Sequence, residues 1–192
     1  MLKMAEKRVL VDTNSYVRLA RDIHPLLGQS FTVDEWTLYI IEEFESEYSK
    51  QPRLQNKHSW VTQNDFKVNR AFKLKPNSFE KGAIENARIF IGETAKELEL
   101  TASPVDVRAL ATAHVLKIPV ITDDDDMIQL ADEYEIEVWK SLKFLSVLLA
   151  GGVIALPKIR SMYQYWCYLP DKPKNCAADY KALFNEDPPP PV

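Results

Sequence analysis

The 192-residue sequence contains only two cysteines, five glycines and three histidines. Two cysteines alone cannot complete a four-ligand zinc site, so we interpret Cys167 and Cys176 as reduced thiols. The N-terminal residues MLKMAEKRVLVDTNS lack the long apolar stretch of a signal peptide. The longest apolar run, 144–156, includes two glycines and is too short to span a bilayer. We therefore expect a cytoplasmic protein with no membrane partner.

Several catalytic motifs are also missing. The sequence has no GxSxG nucleophile elbow, no P-loop and no GxGxxG fingerprint. Phosphatases of the haloacid-dehalogenase type begin at a strand-end Asp and need a second Asp two residues later. Here Asn14 stands two residues after Asp12, which argues against that chemistry.

Four short β-rich runs predict the strands of a sheet. They are RVLVDT (8–13), TLYII (37–41), IPVIT (118–122) and IEVWK (136–140). The first and third are continuous apolar runs, which is typical of strands buried on both faces of a parallel sheet.

Helical patterns separate these runs. One helix is predicted from about 79 to 98 and another from about 126 to 135. A third begins at Ser103, where serine, proline and Asp106 together have the pattern of a capped helix start. Strands that alternate with helices predict an α/β fold, with three α/β/α layers and a central, mainly parallel sheet.

The composition changes near residue 150. Seven of the twelve prolines lie in the last 36 residues, together with five Tyr or Trp residues and Phe184. We expect a domain over residues 1–150 and an aromatic, proline-rich extension over 151–192. The aromatic part should pack on the domain or on a partner, and the final PPPPV should be disordered.

The net charge of −4 conceals an uneven distribution. The segment 50–81 has eight Lys or Arg residues against Asp65 and Glu80, a net charge of +6, which leaves −10 for the rest. A local basic patch attracts phosphates more effectively than the average charge suggests.

Three aspartates have ordinary structural explanations when each is considered alone. Asp12 follows an apolar strand and can be a helix N-cap, and Asp106 can complete a capping box. Asp124 lies in the run 123–126, where acidic side chains favour a helix start, although four consecutive aspartates repel one another.

Taken together, the same aspartates predict a metal site. Asp12 and Asp124 follow two apolar strands and Asp106 opens the helix before the second, so all three fall at the carboxyl edge of the sheet, where binding sites form. Carboxylates crowded there need a hard cation, and Mg²⁺ or Mn²⁺ suits oxygen ligands. Such ions can activate water and neutralise the leaving oxygen of a phosphodiester without a protein nucleophile.

At these positions the sequence resembles the PIN-domain (PilT N-terminus) nucleases, and within them the VapC-like toxins. The matching segments are VLVDTNSYVRLA, FESEY, SPVDVRALATAH, IPVITDDDDM and IEVW, within residues 8–145. The resemblance implies a PIN-like fold over residues 1–150 and catalytic acids at Asp12, Glu47, Asp106 and Asp124. Asp12, Asp106 and Asp124 would bind the metal, with Asp126 as a further ligand. Glu43, one helical turn before Glu47, is the alternative glutamate.

Nearby polar and basic residues are candidates for substrate binding. By resemblance, Thr13, Asn14 and Thr122 would orient metal-bound waters or phosphate oxygens. In the basic segment we select Arg53, Lys67, Arg70 and Lys73 as candidate RNA contacts. The aromatic residues there, Trp60, Phe66 and Phe72, suit either base stacking or the core.

The resemblance implies an Mg²⁺- or Mn²⁺-dependent endoribonuclease, the toxin of a type II toxin–antitoxin pair, with an antitoxin partner and a homodimeric state. The extension after Pro157 departs from the compact toxin pattern. Two alternatives stay open: a PIN-like nuclease of RNA maturation or DNA processing, and a non-catalytic interaction module that binds metal.

Overall fold

A computed structural model describes residues 7–31 and 35–191, which form a five-stranded sheet with helices on both faces. The strands are β1 (Lys7–Val11), β2 (Ser30–Phe31), β3 (Trp36–Tyr39), β4 (Val120–Ile121) and β5 (Val138–Trp139). The helices are α1 (Thr13–Leu19), α2 (Phe44–Lys50), α3 (Pro52–Lys57), α4 (Asn64–Asn69), α5 (Ser78–Glu97), α6 (Pro104–Leu116), α7 (Asp125–Glu133), α8 (Ser141–Ala150), α9 (Leu156–Trp166) and α10 (Cys176–Phe184).

The strand order is β2-β3-β1-β4-β5, with β1 in the centre. Strand β1 is parallel to β3 and to β4, and β4 is parallel to β5. Only β2, in the described sheet, is antiparallel to its neighbour. The prediction of an α/β fold with a mainly parallel central sheet is confirmed. The sequence did not predict the short β2, and β4 and β5 are shorter than the apolar runs that contain them.

Alternation along the central strands divides the core into two layers. Val9 and Val11 face one layer, and Leu10 between them faces the other. In β4, Ile121 faces the first layer and Val120 the second. A strand presents successive side chains to opposite faces, so a continuous apolar run is buried on both sides.

The two layers are formed by different helices. Buried residues of α1, α2, α8, α9 and α10 belong to the first core, and those of α5, α6 and α7 belong to the second. Helix α5 spans Ser78–Glu97 and begins with a capping box between Asn77 and Glu80. It therefore agrees with the helix predicted at about 79–98.

The aromatic extension packs on the first core through α9 and α10. Trp166 and Tyr180 are fully buried there, and the rings of Tyr163 and Tyr180 lie 4.7 Å apart. Residues 185–191 have neither helix nor strand. The division at residue 150 and the disorder of the last residues stay predictions.

Among the described residues, no helix is both long and apolar enough to cross a membrane.

Candidate metal centre and cleft

The centre of the sheet is a topological switch point. From β1 the chain continues to β3 on one side, whereas β4 is followed by β5 on the other. Connections that diverge in this way leave a crevice at the carboxyl ends of the two strands, which is the usual binding position in open α/β sheets. Here the crevice lies beyond Val11 of β1 and Ile121 of β4.

Asp12 follows β1 directly and occupies the base of this crevice. Its side chain caps α1 by accepting a hydrogen bond from the backbone N–H of Ser15. The residue is only 5% exposed. The N-cap explanation is thus correct as far as it goes, but capping does not require a carboxylate to be buried.

Asp106 reaches the same edge from α6. It completes the predicted capping box: its Oδ2 accepts from the backbone N–H of Ser103 at 2.8 Å, and Ser103 Oγ accepts from its N–H at 3.1 Å. Because α6 leads into β4, its first turn lies at the carboxyl edge of the sheet.

The four consecutive aspartates have four different partners. Asp123 pairs with Arg18, and Asp124 caps α7 by accepting from the Met127 N–H at 2.9 Å. Asp125 pairs with Lys174, and Asp126 accepts hydrogen bonds from the N–H and hydroxyl of Thr101. The mutual repulsion expected for this run is therefore relieved by partners on several sides.

Glu47 on α2 is tied to the end of β1. Thr13 Oγ1 donates a hydrogen bond to Glu47 Oε2, and Gln51 Nε2 donates to Oε1 at 3.2 Å. Glu43 instead pairs with Arg108 Nε at 3.1 Å, beside α6. Of the two candidate glutamates, Glu47 is the one that the structure places beside Thr13.

The electrostatics identify Asp106 as the central member of the cluster. Burial, chiefly, raises the pKa of Asp12 to about 7, the charges of Asp123 and Asp106 add to this rise, and hydrogen bonds from Thr122 and Ser15 oppose it. Burial also raises the pKa of Glu47 and of Asp106. The charge of Asp106 contributes to the rise at Glu47, and that of Asp124 to the rise at Asp106.

Asp126 behaves differently from these acids. Hydrogen bonds from the Thr101 hydroxyl and N–H lower its pKa, because they stabilise the charged form. Asp12, Glu47 and Asp124 each interact electrostatically with Asp106, whereas Asp126 bonds to Thr101. The role of Asp126 as an additional ligand of the same metal ion stays a prediction, since Thr101 bonds to only one of its two carboxylate oxygens.

The donor chemistry of the cluster fits a hard divalent cation. All four side chains offer carboxylate oxygens, and the caps of Asp106 and Asp124 each use one oxygen of two. Within the described residues, however, no three Asp, Glu, His or Cys side chains are grouped closely enough to hold a metal ion. An ion would have to draw the carboxylates closer than they lie here.

A cleft of about 370 Å³ opens above Asp12. Its lining comes from α1, the residues that follow β1 and β4, α3 and the extension. The full lining is Asp12, Asn14, Ser15, Arg18, Gln51, Leu54, Lys57, Asp123, Asp124, Pro170 and Asp171.

The predicted hydroxyl and amide neighbours occupy different positions. Thr13 holds Glu47, as described above. Thr122 is fully buried, and its Oγ1 accepts from the Asp124 N–H at 3.2 Å. Asn14 is exposed and lines the cleft. Asn14 is thus accessible to a ligand, whereas Thr13 and Thr122 organise the acids.

The basic candidates are corrected in one case. Arg70 is 1% exposed; its Nε donates to Glu45 Oε1 at 2.7 Å and its Nη1 to the Val61 carbonyl at 2.9 Å. Because its guanidinium is used inside the protein, the prediction that Arg70 contacts RNA is wrong. Its positive charge was visible in the sequence, but its burial was not.

Among the described side chains, Lys67 and Lys73 do not line the cleft. Lys67 is exposed on α4. Lys73 is half-buried, and its backbone forms an isolated β-bridge with Ile40. The side chain of Arg53 lies outside the described residues. The basic segment instead contributes Lys57 to the cleft.

The aromatic residues of the segment pack mainly inward. Trp60 contacts the first core, and the Phe66 ring lies 4.5 Å from that of Trp60. Phe72 is 44% exposed. Core packing therefore accounts for Trp60 and Phe66.

Sequence reasoning missed Arg18, Asp123 and the loop around Asp171. Arg18 lies one helical turn after Asn14, so its direction could have been inferred from helical spacing. The contribution of Asp171 depends on how the extension folds back, and no local pattern indicates this.

No protein-family model matches the sequence, and no curated protein does. Among solved structures, the chain is similar to the crystal structure of FitAcB from Neisseria gonorrhoeae, with 18% sequence identity over 70% of this chain and 98% of that chain, and a TM-score of 0.43. A likeness of this degree carries no argument about activity.

Proposed function

We propose that this protein is a metal-dependent endoribonuclease of the PIN type that hydrolyses RNA phosphodiesters. One observation carries the proposal: four carboxylates from separate elements lie near the switch point of a parallel sheet, and Asp106 interacts electrostatically with each of the other three, Asp12, Glu47 and Asp124. Folding tolerates such an arrangement more readily when a cation is bound.

The four acids have two tasks in this proposal. Asp12 and Asp106, the most buried of the cluster, would hold Mg²⁺ or Mn²⁺ together with Asp124 at the mouth. When bound, the ion supplies neutralisation of phosphate charge and lowers the pKa of the attacking water. Glu47, fixed by the Thr13 hydroxyl, holds its carboxylate towards the same site and can accept a proton there.

The biological setting follows from the resemblance of the sequence motifs. We propose that the protein is cytoplasmic, that it is the toxin of a type II toxin–antitoxin pair, and that it forms a homodimer and binds a cognate antitoxin. Sequencing the region directly upstream tests this setting: an antitoxin-like reading frame there would support it, and the lack of one would oppose it.

Two alternatives make different demands on the cleft. A PIN-like nuclease of RNA maturation or DNA processing uses the same acids on another nucleic acid. A non-catalytic module binds metal for stability alone, and its acids then affect the melting temperature but no substrate.

One experiment separates the three functions. Single-stranded RNA and single-stranded DNA of the same sequence are incubated with the protein and Mn²⁺, with EDTA, or with the Asp12→Asn variant. The proposal requires RNA cleavage that EDTA and Asp12→Asn both abolish. Full activity of Asp12→Asn contradicts the mechanism, and preferential DNA cleavage favours the first alternative.

A matched acidic control makes the result specific. Asp22→Asn removes a carboxylate whose side chain is 26% exposed and pairs with Lys158 on the extension. It should leave cleavage unchanged. Equal loss in both variants would indicate a general effect of charge rather than a metal site.

A further inference from the structure

The cleft above Asp12 continues into a second cavity of about 280 Å³. The two cavities share Arg18, Asp123, Asp124 and Asp171, and together they form one groove. The first cavity is lined by Lys57 on α3 and by Pro170 and Asp171 of the extension loop, residues 170–174. The second cavity is lined by Asp171 and the rest of that loop, including Lys172 and Lys174.

The charges along this groove follow a definite order. Its centre is acidic, with Asp12 and Asp124, and the charge of Arg18 there is already neutralised by the buried carboxylate of Asp123. Lys57 lines only the first cavity, and Lys174 lines only the second, beside Asp125 and Asp126. The groove thus has one lysine on each side of an acidic centre, where a bound cation would offset the carboxylates, and a single-stranded polyanion that runs through it can contact both lysines.

The extension loop is held in place at the groove. Arg18 Nη2 donates to the Asp171 carbonyl at 2.8 Å, and Lys57 Nζ donates to the Asp171 carboxylate at 2.8 Å. Pro170 and Pro173 restrict the backbone on both sides of this anchor. The loop therefore forms a wall of the groove, and the contact of Arg18 with its backbone does not depend on Lys57.

Lys57 and Lys174 can each exchange the present carboxylate partner for a phosphate. The Lys57 side chain is 31% exposed and its partner Asp171 is 54% exposed. The Lys174 side chain is 79% exposed and pairs with Asp125, which is 49% exposed. Ion pairs so open to solvent contribute little to stability, so a phosphate can replace either carboxylate at small cost. Lys172 is different, because its Nζ bonds to Cys167 Sγ at 3.4 Å and lies over the Tyr163 ring.

We propose that the extension forms one bank of the substrate groove, and that Lys57 and Lys174 bind two phosphates of a single-stranded RNA on either side of the acidic centre. The inference rests on the proposed function for the identity of the substrate. It gives the extension a role that the basic segment 50–81 was expected to fill alone.

Binding is measured without cleavage to test this. The fluorescence anisotropy of a labelled single-stranded RNA reports its binding at several salt concentrations. The proteins compared are full-length Asp12→Asn and its Lys57→Ala, Lys174→Ala and double-alanine derivatives. Each lysine should account for roughly a fivefold change in affinity at about 0.1 M salt, and its loss should lower the log–log salt slope by about 0.7. Lys181→Ala is the matched control, because Lys181 is an exposed lysine of the extension paired with Asp187.

The outcomes separate this inference from the proposed function. Unchanged RNA affinity and salt slope in the double-alanine variant overturn the groove proposal, even if the wild-type protein cleaves RNA. Tighter binding after Lys174→Ala also overturns it, because the loop would then cover the groove. If the wild-type protein cleaves no RNA but the lysine variants specifically lose RNA binding, the groove is supported and the nuclease proposal is rejected. In an active parent, the double variant should raise KM and leave kcat nearly unchanged.

Discussion

Arg18 and Asp123 form an ion pair in which both side chains are almost fully buried, at 7% and 5% exposure. The pair joins α1 to the end of β4. Asp123 also accepts a hydrogen bond from the backbone N–H of Ser141 at 3.0 Å, and Arg18 reaches the Asp171 carbonyl. One pair thus connects the switch point, α8 and the extension.

Arg18→Ala should therefore destabilise the protein by about 3–5 kcal/mol, because it leaves the Asp123 carboxylate buried without its counter-charge. Urea unfolding followed by tryptophan fluorescence measures the change. The double variant Arg18→Met/Asp123→Leu removes both charges and should recover part of the loss. Lys158→Ala is the control: its pair with Asp22 is partly exposed, and its loss should cost at most about 1 kcal/mol. Equal losses in Arg18→Ala and Lys158→Ala would contradict the role of burial.

The raised pKa of Asp12 predicts an unusual dependence of stability on pH. In the metal-free folded protein the pKa is about 7, against an ordinary value of 3.8, so the folded state holds more protons between these values. The free energy of unfolding should consequently fall as pH rises from about 4 to about 7, and level off above. Asp12→Asn has no charge to bury, and its Oδ1 can still cap α1.

In EDTA at pH 8, Asp12→Asn should accordingly be more stable than the parent, by on the order of 4 kcal/mol. Near pH 3.5 the two should be similar. Urea unfolding at both pH values measures this crossover. A variant less stable than the parent at pH 8 would show that Asp12 is not desolvated as described.

The choice between Glu47 and Glu43 can be decided by a matched pair of variants. Glu47→Gln should reduce RNA cleavage by at least 100-fold if its carboxylate serves the site, consistent with the usual effect of losing an acid–base group. Glu43→Gln should leave cleavage within about threefold, because Glu43 pairs with Arg108 instead. Initial rates at saturating Mn²⁺ measure both. The reverse order of effects would assign the site to Glu43.

Much of the architecture was accessible from the sequence. The apolar runs at β1 and β4 alternate between two cores, and this double burial is what a continuous apolar pattern records. The capping box at Ser103 and Asp106 was equally visible, because its contacts are local. Strand β2 was not, since its two residues are too few to form a pattern.

The site was predictable only where topology determines direction. Asp12 and Asp106 fall at the carboxyl edge because a strand end and a helix start place them there. Asp126 and Arg70 depend on side-chain partners elsewhere in the chain, Thr101 and Glu45, which spacing does not indicate. The position of Lys174 at the groove could not be predicted from spacing either, because it depends on the whole path of the extension.

The integration of the extension predicts that residues 1–150 do not fold stably alone. Trp166 is fully buried in the first core, whereas Tyr168 is 58% exposed two residues later. Trp166→Ala should cost about 3–5 kcal/mol by creating a cavity. Tyr168→Ala should cost much less. Chemical denaturation of both variants and near-UV circular dichroism of the 1–150 fragment measure this, and a fragment with native stability would contradict it.

Metal linkage should distinguish Asp106 from Asp126, although both aspartates lie in the first turn of a helix. Mn²⁺ at about 100 times its Kd should stabilise the protein by about 2.7 kcal/mol, which corresponds to a rise of roughly 5–10 °C in Tm. Asp106→Asn removes the acid that interacts with Asp12, Glu47 and Asp124 and should abolish most of this rise. Asp126→Asn should retain it, because that carboxylate serves Thr101.

Differential scanning calorimetry with and without Mn²⁺ measures the shifts, and Ca²⁺ in place of Mn²⁺ shows whether the site favours the smaller ion. Loss of the shift in Asp126→Asn alone would move the metal site to the outer part of the aspartate run, away from Asp12.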